Sequence, residues 1–187
     1  MKTDDKKLIE QVLKGKKEAF EMIIKRYQTP IVNYLTRMTG NYNDAIDLSQ
    51  EVFVKAYFSL NSYDFRYKFS SWLFKIASNL CIDRWRKRKI KTISLNHSLK
   101  EGKDFYLQVS DKKPSPIEKY EKKELVKKIE KAIDRLPLDL KELFILRHIN
   151  ELSYQEIAQI KNIPIGTVKN KIFRAKERIK YLLEKEK

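Results

Sequence analysis

Apolar residues recur at steps of three and four from Leu8 almost to the last residue, and alternating strand patterns are scarce, so the chain reads as helical nearly throughout. Only four residues are glycine, which leaves few places for a sharp backbone turn. Leu8, Ile9, Val12 and Leu13 define a short helix, and Gly15 separates it from a long one carrying Phe20, Ile23, Ile24, Tyr27, Ile31, Tyr34, Leu35 and Met38. Gly40 to Asn43 spells a stop and a fresh N-cap. Asp44 and Asp47 then fall in a first turn, where the helix dipole favours carboxylates. This third helix is expected to end near Leu60. After an aromatic-rich loop at 61–67, Phe69, Trp72, Leu73, Ile76, Ala77 and Leu80 set another apolar face, which runs into the basic stretch from Arg84 to Lys91.

The periodicity fades between Ser94 and Glu118, where Gly102, Pro114 and Pro116 stand among serines and charges, the signature of a linker. It resumes with Leu125, Ile129, Ala132, Ile133 and Leu136, stops at Pro137, and restarts through Leu140, Leu143, Phe144 and Arg147 before two further short helices. The expectation is an all-α chain of two small helical domains, 1–93 and 119–187, joined by a flexible linker at 94–118. A length of 187 residues suffices for two small cores.

Lysine and arginine number 41 against 25 acidic residues, a formal charge of +16 that calls for a polyanionic partner, nucleic acid first. No run of about 18 apolar residues exists, so membrane insertion is not expected. Met1 to Asp5 has no apolar signal core, which makes a cytoplasmic location the expectation. Cys81 stands alone, and with only His97 and His148 beside it there is no ligand set for zinc. Cys81 is read as a small buried hydrophobe, the two histidines as surface or structural residues, and neither metal nor cofactor is expected.

Near the C-terminus, Ser153-Tyr154-Gln155-Glu156 is a capping-box pattern that should start a helix carrying Ile157, Ala158 and Ile160 inward. Asn162 tolerates the left-handed conformation of a tight turn, and Pro164 opens a second helix. That helix buries Val168, Ile172, Ala175 and Ile179 and presents Lys169, Asn170, Arg174 and Arg178 on its other side. Small residues at Ala158 and Gly166 would allow a close, steep crossing. The order of signals is that of a helix-turn-helix unit, whose second helix enters a major groove with early residues at base edges and later cations on phosphates. A solvated basic helix on an ordinary bundle is the plainer alternative.

In the N-terminal half, Ala45, Leu48, Val52, Phe53 and Ala56 share one face of the third helix while Asp47, Glu51 and Lys55 form a row on another. Such a row is either a solvated surface or a docking site for a positively charged partner. Arg84-Trp85-Arg86-Lys87-Arg88 interleaves cations with an aromatic ring, which suits single-stranded or distorted nucleic acid. Trp72 sits on the apolar stripe and reads as core; Trp85 is as compatible with surface packing as with base stacking.

The stretch from Asp44 to Tyr57, followed by Phe69-Ser-Ser-Trp72-Leu-Phe-Lys-Ile76-Ala77-Ser-Asn79, resembles region 2 of sigma factors, and Leu136-Pro137 through Ala158 to Gly166-Thr167-Val168 and Phe173-Arg174-Ala175 resembles region 4. In this order, over nearly the whole length and without further domains, the chain is similar to the extracytoplasmic-function (ECF) group. The resemblance implies a non-enzymatic initiation factor that binds RNA polymerase core, recognises the −10 and −35 promoter elements and promotes strand opening. Asp44, Asp47, Gln50 and Glu51 would dock on the clamp helices of the largest polymerase subunit. Tyr63, Phe65, Asn79, Arg84, Trp85, Lys87 and Arg88 would handle the −10 element, melted, with a flipped base held near the loop from Tyr63 to Tyr67. Thr167, Lys169, Asn170, Phe173, Arg174 and Arg178 would meet the double-stranded −35 element. The linker would thread toward the RNA exit path, and an anti-sigma protein is a further partner the resemblance allows.

Two departures bear on specificity. Ile46 occupies a position that is often acidic in the family. Lys169 and Lys171 stand where arginine is frequent, and lysine lacks the planar fork that pairs with guanine, so the promoter sequence does not transfer. Two other readings compete: a stand-alone helix-turn-helix regulator, which explains the C-terminal half only, and a nucleic-acid-processing enzyme with a metal at Asp44, Asp47 and Glu51, which lacks a second acidic cluster to close a two-metal site.

Overall fold

The computed structural model describes residues 4–94 and 116–185, with side chains described outside 88–123. His97 and the centre of the expected linker lie outside the described residues, as does the side chain of Arg88. The described residues form eight α-helices: α1 (Asp5–Leu13), α2 (Lys17–Thr39), α3 (Tyr42–Ser59), α4 (Phe69–Ser94), α5 (Pro116–Asp134), α6 (Leu138–His148), α7 (Tyr154–Lys161) and α8 (Ile165–Glu184), with one 3-10 turn at Leu60–Ser62.

The boundaries follow local chemistry. Gly15 at φ 88° and Gly40 at φ 71° take the left-handed backbone that breaks α1 from α2 and α2 from α3. Within the expected stop and cap at 40–43, Asn41 is the N-cap of α3, its side chain accepting from the Asp44 amide at 3.1 Å. Asp44 therefore lies in the first turn, while Asp47, expected beside it, falls in the second, beyond the strongest reach of the dipole. Pro30 sits inside α2, which continues to Thr39 because its apolar face stays packed. Pro116 opens α5, where a missing N–H costs nothing.

Helices α1 to α4 enclose Leu8, Ile23, Ile31, Leu35, Leu48, Val52, Leu73 and Ala77, and α5 to α8 enclose Ile133, Leu143, Leu146, Ile157, Val168 and Ile172. Each such side chain contributes about 1.5–3 kcal/mol when fully buried. The two sets join into one cluster, because α7 packs on α4 and α6 on α2. Cys81 is buried as expected, and burial, with Glu142 nearby, pushes its thiol up to about 11.

Candidate nucleic-acid and polymerase interface

On α3, Asp47, Gln50 and Glu51 are exposed and Asp44 is half-buried, while Ala45, Leu48, Val52, Phe53 and Ala56 of the same helix are buried. Arg84 folds back from α4 onto this row, donating to Glu51 at 2.8 Å with Asp44 at 3.9 Å. The structure thus brings Arg84, expected at DNA, together with the carboxylates expected at polymerase. Beside them lies a predominantly apolar groove of about 350 Å³ walled by Phe20, Ile24, Gln50, Phe53, Val54 and Phe58. Val54 is 57% and Phe58 79% exposed, and sequence reasoning passed over both. Their signal was apolar character off the buried stripe of α3.

The loop before α4 is a ring cluster. Tyr63 lies 5.0 Å from Phe65, 5.4 Å from Phe69 and 5.5 Å from Trp72, centroid to centroid. Its hydroxyl donates to the Tyr67 carbonyl at 2.5 Å, and burial with nearby Asp5 raises its pKa. Asp64 pins the turn by accepting from the Arg66 amide at 2.9 Å and guanidinium at 2.6 Å; that hydrogen bonding holds the Asp64 carboxyl below its usual range. Below the loop opens a cleft of about 520 Å³, lined by Tyr63, Tyr67, Trp72, Lys75 and Asn79, with Gln159, Ile160 and Asn162 of α7 on its far side. Trp72, Lys75 and Asn79 recur at helical steps and so share one face of α4. Phe65 and Trp85 are 42% and 43% exposed, and Lys87 is exposed.

In the C-terminal half the capping box is complete. Ser153 Oγ accepts from the Glu156 amide at 3.2 Å, and Glu156 Oε2 accepts from the Ser153 amide at 2.7 Å. Burial raises the Glu156 pKa, but the bonds from Ser153 and Lys68 outweigh it and leave the carboxyl below its usual range. Asn162 is left-handed at φ 51° and turns the chain into α8. Lys169, Asn170, Phe173, Arg174 and Arg178 are exposed and Thr167 is half-buried. Residues 167, 170, 174 and 178 follow one face, with Phe173 presenting 63% of its surface beside it. No acidic residue occupies the first turn of α8, so its positive dipole end stays open to phosphate. Gly166 does not serve a close crossing as expected: it is exposed, and a Cβ there would meet nothing within 4 Å. His148 packs its ring 4.8 Å from Phe144; burial lowers its pKa, aided by Lys176 and Arg147.

Residues 23–90 match the family model for sigma-70 region 2, and residues 127–179 match sigma-70, region 4. The chain is 39% identical over 176 residues, 94% of each chain, to the ECF RNA polymerase sigma factor SigW of Bacillus subtilis. It is 35% identical to the ECF RNA polymerase sigma-E factor of Haemophilus influenzae, covering 94% of this chain and 93% of that one. Its fold matches the sigma factor RpoE of Bartonella quintana, solved with the anti-sigma factor NepR, at TM-score 0.72 and 23% identity, over 88% and 96% of the two chains. CnrH, solved with the cytosolic domain of CnrY, matches at TM-score 0.71 and 20% identity, over 98% and 99%.

The chain belongs to the sigma-70 family, in its ECF group of RNA polymerase sigma factors. It is a promoter-recognising initiation factor whose partners are RNA polymerase core and promoter DNA. Members of this family are non-enzymatic. Among the described residues, no helix is long and apolar enough to cross a membrane.

Proposed function

We propose that three separate surfaces divide the work. The exposed row Asp44, Asp47, Gln50 and Glu51, with the apolar groove of Val54 and Phe58 beside it, docks on the polymerase clamp helices. Tyr63, Phe65, Asn79, Trp85, Lys87 and Arg88 take the melted −10 strand, and Arg84 links that surface to the acidic row. Thr167, Lys169, Asn170, Phe173, Arg174 and Arg178 read the −35 duplex. Residues 1–93 and 119–187 act as the two binding domains and 94–118 as the linker between them. The observation that carries this division is the aromatic cleft of α4 standing apart from the bare, basic face of α8 in one chain.

Binding energy alone does the work, and the chain catalyses nothing. Unstacking a base costs a few kcal/mol, which capture in the ring-lined cleft offsets. The site of action is the cytoplasm, and the anti-sigma complexes of the solved relatives support an anti-sigma protein as a further partner. The test is reconstituted transcription, with purified protein, bacterial core polymerase and a promoter-fragment library. Defined start sites that need the protein are expected; DNA binding without initiation would instead mark a stand-alone regulator.

A further inference from the structure

Helix α1 packs on the 3-10 turn at Leu60–Ser62, with Leu8 and Ile9 buried beneath it, and its first turn reaches the ring cluster that precedes α4. Asp5 accepts hydrogen bonds from the Tyr27 hydroxyl and the Arg26 guanidinium, both on α2. Burial, then the bond to Asp5 and its charge, push the Tyr27 pKa well above the usual phenol range, so the hydroxyl stays a donor at neutral pH. The Tyr27 ring meets Phe69 edge to face, 5.5 Å between centroids, and Phe69 is 3% exposed. Phe69 in turn holds Tyr63 at 5.4 Å and Trp72 at 5.5 Å. A line of contacts therefore runs from Asp5 through Tyr27 and Phe69 to Tyr63. Edge-to-face packing sets the plane of each ring from the plane of the one before it.

The neighbouring residue offers a charge to the same cluster. Lys6 is exposed, and its ammonium stands 5.8 Å from the centroid of the Phe65 ring. Phe65 lies 5.0 Å from Tyr63 and is 42% exposed. A cation beside an open ring suits single-stranded nucleic acid, with a base stacked on the ring and a phosphate on the cation. Arg26 neutralises Asp5 in the same turn, which weakens the repulsion that a lone carboxylate would exert on the strand. Asp5 and Lys6 both precede residue 23, where the match to sigma-70 region 2 begins.

We propose that the first turn of α1 belongs to the −10 apparatus: Lys6 binds a phosphate of the melted strand beside Phe65, and Asp5 is a positioning residue that sets the Tyr63 ring for its base. The inference rests on the assignment of Tyr63 and Phe65 to the −10 strand. The two residues act by different physics. Lys6 neutralises one phosphate whatever the base, whereas Asp5 touches no nucleic acid and changes only how well the loop fits one base over another.

The test uses the holoenzyme, this chain with core polymerase. It is titrated with a fluorescent single strand carrying the −10 sequence mapped by transcription, and with strands substituted at each −10 position in turn. Lys6→Ala should weaken all strands alike, about fivefold at 0.1 M salt relative to 1 M, and lower the slope of log affinity against log salt by about 0.7. Asp5→Asn and Tyr27→Phe should leave that slope in place and cut the preference for the matched base at one position about three- to tenfold. Ile31→Val, a core change on α2 away from the ring cluster, controls for lost stability and should alter neither readout. Urea midpoints check folding; should Asp5→Asn unfold, Tyr27→Phe, which keeps the ring and removes only the hydroxyl, decides. An unchanged salt slope in Lys6→Ala overturns the phosphate contact. Base preferences that match those of Ile31→Val overturn the positioning role. Tyr63→Ala tests the assignment beneath: if it leaves strand binding untouched, the −10 reading of the loop fails. If it weakens binding while the α1 and Tyr27 variants do not, this inference alone fails.

Discussion

The α8 face and the α4 cleft, the two proposed DNA-binding surfaces, are opposite kinds of construction. Six candidate residues on α8 share one helix, and their relative positions follow from 3.6 residues per turn. The cleft draws on a turn, on α4 and, in this packing, on α7, so its shape depends on how three elements dock. A single-helix site tolerates disturbance elsewhere as long as the helix stands. A composite site is tuned by anything that moves its parts.

The sharpest way to break that contrast is Leu73→Ala, which empties a fully buried position on α4. A cost of about 2–5 kcal/mol is expected by urea unfolding. In holoenzyme, permanganate detection of the melted −10 strand should suffer more than −35 duplex binding, and an equal loss would mean the two sites are not independent. Arg174→Ala should act the other way, removing about 1–3 kcal/mol of discrimination among −35 variants with core-polymerase affinity unchanged. Equal loss of both would count against the division of labour.

Smaller effects sharpen the picture. Ser153→Ala should cost about 1 kcal/mol by removing an N-cap. Glu156 has its pKa depressed in the folded chain, so its share of stability is present above the ordinary glutamate range and is lost as pH falls through its lower folded value. The penalty of Ser153→Ala, followed by urea midpoints, should therefore shrink on acidification. Smallest is Glu51→Ala: the exposed pair with Arg84 contributes under about 1 kcal/mol to stability, whereas affinity for core polymerase, titrated by fluorescence, should fall. A large loss of stability with normal polymerase affinity would recast the pair as structural.

These constructions also explain what could be read in advance. The capping box at Ser153 and Glu156, the left-handed Asn162 and the buried stripe from Val168 to Ile179 are local, fixed by residues within a few positions of each other. The stretch from Gly40 to Asn43 holds more than one residue able to cap α3, and only the Asn41 bond to the Asp44 amide decides between them. Gly166 invited a packing reading that its open surroundings do not support. Arg84 with Glu51, and Glu142 with Ser78, join residues 33 and 64 positions apart; no periodicity encodes such pairs.

The groove beside Phe58 has a colloidal consequence. An uncapped apolar strip invites copies of the chain to stick to one another, and what opposes this is mutual repulsion from a net charge of +16. Salt shortens the range of that repulsion while leaving the apolar attraction intact. Concentrated stocks of the isolated protein should therefore cloud as ionic strength rises, and core polymerase should keep them clear if it docks on the strip as proposed.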